Sequence, residues 1–257
     1  MTVTNPEAWS LTALANHFGT DKGTVGPSAA WGAHNYTDIY EAYFGPLRDA
    51  PINLLEIGLG IETNIAHGRN ATGGASIRMW ESYFPNARIY GADLRPATFL
   101  DNARVQTFVI DQGSVADWTA WLEANPDLRF DIIIDDGSHL AAHQQITFSM
   151  LFPRVKPGGY YVIEDLNAKG AERDARLPAV STRYLLKHDI RRDLPQPHAI
   201  QDRRVLDDIA TVTFHVPKIK VSPVRQAHKL LRGLPGRPAH PYRFKPDSEK
   251  LCMIRKR

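Results

Sequence analysis

Short apolar runs rich in β-branched residues alternate along the chain with segments in which apolar residues recur at helical spacing. This alternation predicts an α/β fold, because parallel strands are buried on both faces. The segments predicted as strands are 52–57, 88–94, 105–110, 130–135, 160–163, 211–215 and 251–255. The segments predicted as helices are 9–18, 37–44, 76–84, 117–125, 140–152 and 181–187. We therefore expect a seven-stranded, mostly parallel sheet whose last strand is antiparallel, with helices on both faces.

Two of these strands end in acidic residues. Ile132–Ile134 lead into Asp135-Asp-Gly-Ser-His139, and Tyr160–Ile163 lead into Glu164 and Asp165. Open α/β sheets bind ligands at the carboxyl ends of their strands, so we expect these two ends to lie together and hold a divalent metal beside a base. The alternative is that the acids cap helices and that the histidine is an ordinary surface residue.

The turn after the first strand is rich in glycine but differs from a dinucleotide-binding turn. Gly58 and Gly60 are present, whereas Thr63 stands where that fingerprint has its third glycine. Glu56, inside the strand, would repel a pyrophosphate and suits a cationic or zwitterionic ligand. Asp93, at the end of the second strand, is placed to accept hydrogen bonds from a ribose diol. These features argue against an NAD-dependent oxidoreductase.

The residue types at the acidic strand ends favour magnesium over zinc. Asp136, Glu164 and Asp165 offer carboxylate oxygens, which hard cations such as Mg²⁺ prefer, and Mn²⁺ is the alternative. His139 follows Asp136 by three positions and is predicted to accept a proton from a substrate hydroxyl as the general base. His143 lies deeper in the following helix, and we expect it to be structural.

Composition limits the class of protein. The 257 residues include one cysteine, Cys252, which excludes an internal disulfide. No apolar run approaches the length of a membrane span, roughly 20 residues, and the N-terminus lacks the pattern of a secretory signal, so we expect a cytoplasmic protein. Residues 216–257 contain twelve Lys/Arg and two acidic residues, whereas the rest of the chain is acidic overall.

This uneven charge predicts a basic, proline-rich insert within a single domain, 1–257. We divide the domain into an N-terminal helical cap (1–50), a Rossmann-like core (51–215 and 249–257) and the insert (216–248) between the last two strands. The insert is a candidate surface for an anionic surface or partner. Nucleic acid is not expected, because the insert offers only Tyr242 and Phe244 for stacking.

Several motifs spread over residues 15–165 resemble those of a known enzyme family. They are Gly19-Thr-Asp-Lys-Gly23, His34-x-Tyr36, Leu54-Leu-Glu-Ile-Gly-Leu-Gly60, Gly73-Gly-Ala-Ser76, Gly91-Ala-Asp93, Asp111-Gln112, Asp135–His139 and Val162-Ile-Glu-Asp165. Together they resemble the class I S-adenosylmethionine-dependent methyltransferases, and more narrowly the metal-dependent sugar O-methyltransferases of macrolide biosynthesis, the macrocin and mycinamicin type. The chain is also similar to the enzymes that methylate mycobacterial polymethylated polysaccharides.

The resemblance implies a Rossmann-like class I methyltransferase fold and a set of site residues. It implies metal ligands at Asp136, Glu164 and Asp165, with His139 as general base. The residues implied to bind S-adenosylmethionine are Glu56, Gly58, Gly60, Ser76, Asp93, Asp111, Gln112, Asp135, Thr20, Asp21 and Tyr36.

The activity expected from these observations is Mg²⁺-dependent methyl transfer to a sugar hydroxyl of an oligosaccharide, a polysaccharide precursor or a glycosylated natural product. A metal-dependent methyltransferase of a catechol-like molecule is the first alternative, and a non-catalytic binding module with a basic partner surface is another. A sugar or glycoside is the expected partner. A homo-oligomer is compatible with the sequence, which does not specify the oligomeric state.

Overall fold

The computed structural model describes residues 9–26, 33–61, 73–166, 179–188, 193–217 and 249–257. Thr63 and all but the first two residues of the predicted basic insert lie outside these ranges. None of the helices within them is both long and apolar enough to cross a membrane.

Seven strands form one sheet in the order β3-β2-β1-β4-β5-β7-β6. All pairs among β1 to β5 are parallel, and β7 is antiparallel to both β5 and β6, so the predicted fold class is confirmed. The strands are β1 Asn53–Ile57, β2 Arg88–Asp93, β3 Val105–Val109, β4 Phe130–Asp135, β5 Val155–Ile163, β6 Ile209–His215 and β7 Leu251–Lys256.

The fifth strand begins earlier than the sequence indicated. Residues 155–159, which precede the predicted segment 160–163, form the first half of the strand, because Val155 pairs with Phe130 before the register shifts ahead of the Ile132 pair. Gly158, with a φ of 78°, allows the backbone to bend within this irregular stretch.

Six α-helices within the described ranges lie at the predicted segments. They are α1 Leu11–Phe18, α2 Thr37–Phe44, α3 Ala75–Tyr83, α4 Val115–Ala124, α5 Ala141–Leu151 and α6 Thr182–Lys187. Serine side chains cap three of them: Ser10 accepts from the amide of Ala13, Ser114 from Asp117, and Ser181 from Tyr184. A serine oxygen satisfies an amide that the first helical turn leaves unpaired, which fixes where these helices begin.

The core fills both faces of the sheet. One cluster contains Trp118, Phe148 and Tyr161, and the other contains Tyr40, Phe44 and Trp80. The second cluster joins α1, α2 and α3 to the sheet, so burial of apolar side chains holds the N-terminal helices against the strands.

Strand register determines where the polar strand ends meet. Ile57 of β1 pairs with Asp135 of β4, which pairs with Ile163 of β5. The ladder continues one residue further, because the Asp136 amide donates to Ile57 O and the Glu164 amide donates to Asp135 O. The ends of three adjacent strands are therefore level, and their acidic residues lie at one edge of the sheet.

Candidate active site

A lysine from the N-terminal segment lies at the centre of these strand ends. Lys22 Nζ is 2.5 Å from Oδ2 of Asp136, 2.8 Å from Oε1 of Glu164 and 3.3 Å from Oε1 of Glu56. The lysine side chain is only 1% exposed. Burial alone would lower the pKa of its ammonium, but the adjacent carboxylates of Asp136, Glu164 and Glu56 outweigh burial and raise that pKa well above its usual range. Lys22 is therefore held as a cation.

Tyr36, Tyr40 and Phe44 recur at spacings of four and form an aromatic stripe, a pattern typical of core packing, and the two tyrosines also reach the acids. Tyr36 donates its hydroxyl hydrogen bond to Oδ1 of Asp165, and Tyr40 donates to Oε1 of Glu164. Both rings are fully buried. Burial, as the larger cause, and the negative charge of the acids together raise the pKa of each phenol well above its usual range. The tyrosines thus stay protonated and act as donors. The stripe is part of the core, as its helical spacing indicated, and it also lines the site.

Asp136, His139 and Asp165 form a group that fits a divalent cation. One possible ligand atom from each lies within 4.8 Å of the other two. The carboxylate oxygens of Asp136 and Asp165 suit Mg²⁺ or Mn²⁺, which prefer oxygen ligands and keep waters or substrate oxygens in the remaining positions, so the imidazole of His139 is left as a neighbouring base. His139 Nδ1 is buried without a hydrogen-bond partner among the described residues. The residues present therefore fit the metal expected at this edge of the sheet.

The structure gives Glu164 different neighbours from the other two predicted metal ligands. Its Oε1 accepts from both Lys22 and Tyr40, and the side chain is 1% exposed. Burial raises the pKa of Glu164 and of Asp136, and the Lys22 ammonium acts against this shift. Asp136 and Asp165 thus lie next to His139 and Glu164 lies outside that group, while the Lys22 ammonium contacts both Asp136 and Glu164.

The predicted cofactor residue Glu56 lies at the end of β1, where its Oε1 is 3.3 Å from Lys22 Nζ. Both oxygens of Glu56 are buried and accept no regular hydrogen bond from the described residues. Burial raises the pKa of Glu56 to about 7, and the charge of Lys22 and the nearby Ser76 hydroxyl limit the increase. A buried carboxylate with unused acceptors fits a ligand that brings a positive charge, as the amino-acid end of S-adenosylmethionine would.

The turn after β1 is shaped by a close approach of two chain segments. Gly58 has a φ of 88°, and a Cβ added there would lie 2.2 Å from the carbonyl oxygen of Asp136. Gly60 also has a positive φ of 65°. Asp93 stabilises the same turn, because its Oδ2 accepts from the Leu59 amide at 2.7 Å and its Oδ1 accepts from the Arg95 amide at 3.0 Å. These three predicted cofactor residues therefore lie together around one turn.

Two more residues predicted to bind the cofactor, Asp135 and Gln112, support residues 135–139, which we call the metal-side loop. The fully buried Asp135 carboxylate accepts from Gln112 Nε2 and Thr147 Oγ1, each at 2.7 Å, and from the Tyr161 hydroxyl at 3.3 Å. Gln112 Oε1 accepts from the Ser138 amide at 2.8 Å. This network fixes the backbone between Asp135 and Ser138, and so determines where Asp136 and His139 lie.

The remaining predicted residues lie near the site in supporting positions. Thr20 is buried, and its hydroxyl is 3.4 Å from the amide of Lys22. Asp21 adds negative charge near Lys22. The carboxylate of Asp111 accepts from the Gly113 amide at 2.9 Å, within the turn that precedes α4. His143 bonds through Nδ1 to Ser138 Oγ at 2.9 Å, and its structural role stays a prediction.

Sequence reasoning missed Lys22 and Tyr40 as site residues. Lys22 lies inside the quoted motif Gly19-Thr-Asp-Lys-Gly23, and a lysine enclosed by glycines in a compact polar turn was the available signal. Tyr40 lies one turn after Tyr36 on the same face of α2. Its hydroxyl gave no signal, because an aromatic stripe alone predicts core packing.

The strand order and the antiparallel β7 define a class I methyltransferase fold, with residues that can bind ligands at the strand ends. The solved structure of MycE, a methyltransferase from the mycinamycin biosynthetic pathway in complex with Mg, SAH and mycinamycin VI, is similar to the chain with a TM-score of 0.65 and 28% identity. The similarity covers 96% of this chain and 54% of MycE. No family model matches the chain.

Curated relatives agree with this class. The chain is 42% identical over 156 residues to 8-demethyl-8-alpha-L-rhamnosyl tetracenomycin-C 2'-O-methyltransferase of Streptomyces olivaceus, a match that covers 61% of this chain and 37% of that protein. It is 41% identical over 133 residues to mycinamicin VI 2''-O-methyltransferase of Micromonospora griseorubida, covering 52% and 32%. These relatives are named as O-methyltransferases of a rhamnosyl tetracenomycin and of mycinamicin VI, which confirms the resemblance seen in the motifs. The chain spans about a third of the length of these relatives.

Proposed function

We propose that this chain carries out S-adenosylmethionine-dependent, Mg²⁺-dependent O-methylation of a sugar hydroxyl, on a glycosylated natural product or a related oligosaccharide or polysaccharide precursor. The observation that carries the proposal is the grouping of Asp136, His139 and Asp165 within 4.8 Å, next to the buried carboxylate of Glu56. The homologues named for methyl transfer to rhamnosyl tetracenomycin and to mycinamicin VI support the sugar class.

The residues that act in the proposed reaction lie in two neighbouring sites, one for the cofactor and one for the metal. When bound, S-adenosylmethionine would supply the methyl group to the sugar oxygen and leave as S-adenosylhomocysteine, and Mg²⁺ would lower the pKa of the sugar hydroxyl. Glu56 and Asp93 hold the cofactor at the β1 and β2 ends. Asp136, Asp165 and Glu164 provide the negative charge that holds the cation. Imidazole is suited to take up protons near neutral pH, so His139 accepts the hydroxyl proton.

Lys22 bears on the alternative of a catechol-like substrate, in which a lysine usually serves as base. The Lys22 ammonium donates to two carboxylates, and its pKa is raised, so it is a poor proton acceptor. His139 is 29% exposed and borders Asp165, so it remains the accessible base. This arrangement supports the sugar-type assignment.

The test is a transfer assay with methyl-labelled S-adenosylmethionine and a panel of rhamnosylated polyketides, macrolide glycosides and mannose or glucose oligosaccharides. We expect label on a glycoside hydroxyl, loss of transfer with EDTA and recovery with Mg²⁺ or Mn²⁺. Transfer that persists after chelation would contradict the metal assignment. Labelling of catechols but of no sugar would show that the substrate is catechol-like. Calorimetric binding of NADH instead of S-adenosylmethionine would reject the proposed methyltransferase activity.

Three further parts of the proposal are supported by the sequence alone. We propose that residues 1–257 act as one domain, that the basic insert 216–248 contacts an anionic surface or partner, and that the protein works in the cytoplasm. A homo-oligomer is compatible with the sequence. Light scattering of the purified protein at low and high salt tests the oligomer. Deletion of residues 218–248 tests the insert: retained transfer to a small glycoside with loss of binding to an anionic resin supports this role.

A further inference from the structure

Lys22 joins three strands to the N-terminal segment through one ammonium group. An ammonium has three N–H donors, and the three carboxylates around Nζ belong to the ends of β1, β4 and β5. Glu56 lies on the cofactor side of the site, and Asp136 and Glu164 lie on the metal side. The buried ammonium of Lys22 therefore contacts acids on both the cofactor side and the metal side of the site.

The backbone around Lys22 connects the same ammonium to the start of α2. The carbonyl oxygen of Lys22 accepts from the amides of Tyr36 at 2.8 Å and Thr37 at 3.2 Å. Tyr36 and Tyr40 then donate to Asp165 and Glu164. Among its described residues, the N-terminal segment thus brings the donors of Lys22, Tyr36 and Tyr40 to the acids at the strand ends, and His34 Nδ1 lies 3.6 Å from Oδ1 of Asp165. Lys22 is the ammonium among them.

Carboxylates this close together repel one another, and burial makes each charge more costly. Removal of the one ammonium in contact with Glu56, Asp136 and Glu164 would leave buried negative charge without compensation. Such a loss destabilises a protein more than the loss of an exposed ion pair does. A divalent cation at Asp136 and Asp165 would bring positive charge to the same cluster, and could therefore replace part of what the lysine provides.

We propose that Lys22 is a built-in counter-ion. It positions the acids of both half-sites, Glu56 on the cofactor side and Asp136 and Glu164 on the metal side, and it holds the N-terminal segment over them before metal and cofactor bind. Lys22 is a positioning residue in this role, since it acts through the carboxylates. The identity of the divalent cation rests on the proposed function, but the role of Lys22 in the metal-free protein does not.

The test compares thermal unfolding of the wild type and Lys22→Met in EDTA and in saturating Mg²⁺. Methionine keeps most of the volume and removes the charge. In EDTA we expect the Tm of the variant to fall by about 5–15 °C. Mg²⁺ should raise the Tm of the variant more than that of the wild type and reduce the gap by at least half. By linkage, calorimetry should show Mn²⁺ binding to the variant at least tenfold more tightly.

The exposed pair of Lys156 and Asp131 provides a matched control. Lys156 Nζ is 2.8 Å from Oδ2 of Asp131, but the lysine is 40% exposed. Lys156→Met should therefore change the Tm little, and by the same amount with and without Mg²⁺. A gap between Lys22→Met and the wild type that Mg²⁺ leaves unchanged would show that Lys22 only packs the segment. A metal-free Lys22→Met protein as stable as the wild type would overturn the proposal outright.

A double variant keeps the test decisive if Lys22→Met does not fold, or if the protein binds no metal. Glu56→Gln removes one of the three negative charges, so Lys22→Met with Glu56→Gln should have a higher Tm in EDTA than Lys22→Met alone, or should fold where the single variant does not. No recovery would contradict the counter-ion role. This arm does not depend on metal or on methyl transfer, so failure of the proposed function and failure of this inference are distinguishable.

Discussion

His139 Nε2 lies 3.9 Å from Oδ2 of Asp165, and both residues adopt positive φ angles, 59° and 50°. Residues other than glycine rarely adopt this conformation, which costs on the order of 1–3 kcal/mol and persists where surrounding structure enforces it. Here the enforcement is visible, because Gln112 and Asp135 fix the loop before His139. The unusual backbone brings a proton acceptor next to a carboxylate of the candidate metal group.

The first prediction concerns His139. His139→Ala should lower the rate of methyl transfer by about 10²–10⁴-fold, because the proposed general base is lost. It should leave the affinity for S-adenosylhomocysteine within about threefold of the wild type, since the proposed cofactor residue Glu56 is unchanged. Single-turnover transfer and calorimetry measure the two quantities.

His143→Ala is the control for this experiment, because His143 is a nearby histidine that bonds to Ser138 and lies outside the metal group. It should retain most of the transfer rate. If the His139 variant stays near the wild-type rate and the His143 variant loses it, the roles of the two histidines are reversed.

The second prediction concerns metal binding. Asp165→Asn should weaken Mn²⁺ binding by at least tenfold, because one of the carboxylates in the group becomes neutral. Asp93→Asn is the matched control: it removes one carboxylate charge near the cofactor turn, where Asp93 accepts from Leu59 and Arg95, and should leave Mn²⁺ affinity nearly unchanged. Titration calorimetry with Mn²⁺ checks both. Equal weakening by both variants would indicate a general loss of negative charge, with no specific ligand role for Asp165.

The sequence was sufficient to predict the sheet and the meeting of acids at one edge, because continuous apolar runs indicate parallel strands whose carboxyl ends are level. It could not predict the partner of Lys22, which lies 142 positions before Glu164 and reaches it only through the path of the N-terminal segment. It assigned Asp136 to the metal and Asp135 to the cofactor, but it did not predict the network of hydrogen bonds that Asp135 makes inside the fold. Successive side chains at a strand end point to opposite faces, so Asp135 turns toward Thr147 of α5 while Asp136 turns toward Lys22.

The third prediction concerns the pH dependence of stability. Burial raises the pKa of Glu56 to about 7 in the folded protein, above the value of about 4.3 that a glutamate has in an unfolded chain. Between these two values the folded state binds more protons than the unfolded state. The contribution of Glu56 to the free energy of unfolding is therefore fully present below the lower value and is lost as pH rises through the upper one, with a slope of up to about 1.4 kcal/mol per pH unit.

Glu56→Gln should remove this contribution. Urea unfolding in EDTA at half-unit steps from pH 4.5 to 8 should show a shallower decrease for the variant than for the wild type. Glu123→Gln changes an exposed glutamate of α4 and serves as the control, with a pH profile like that of the wild type. Identical profiles for all three proteins would mean that Glu56 ionises in the folded state as it does in the unfolded chain.

The last prediction separates two costs of replacing a glycine. Gly19 and Gly58 both have positive φ angles, 74° and 88°, but a Cβ at Gly19 would meet nothing within 4 Å, whereas one at Gly58 would lie 2.2 Å from the Asp136 carbonyl oxygen. Gly19→Ala should therefore lower the free energy of unfolding by about 1–2 kcal/mol, the cost of the left-handed backbone alone. Gly58→Ala should lower it by about 3 kcal/mol or more, because the backbone of Asp136 must also move.

That movement should weaken Mn²⁺ binding in Gly58→Ala, whereas Gly19→Ala should leave Mn²⁺ binding unchanged. Urea unfolding measures the change in stability, and calorimetry measures the change in Mn²⁺ affinity. Equal costs for the two variants would mean that the β1 turn and the metal-side loop separate readily, contrary to the close approach that links the two half-sites.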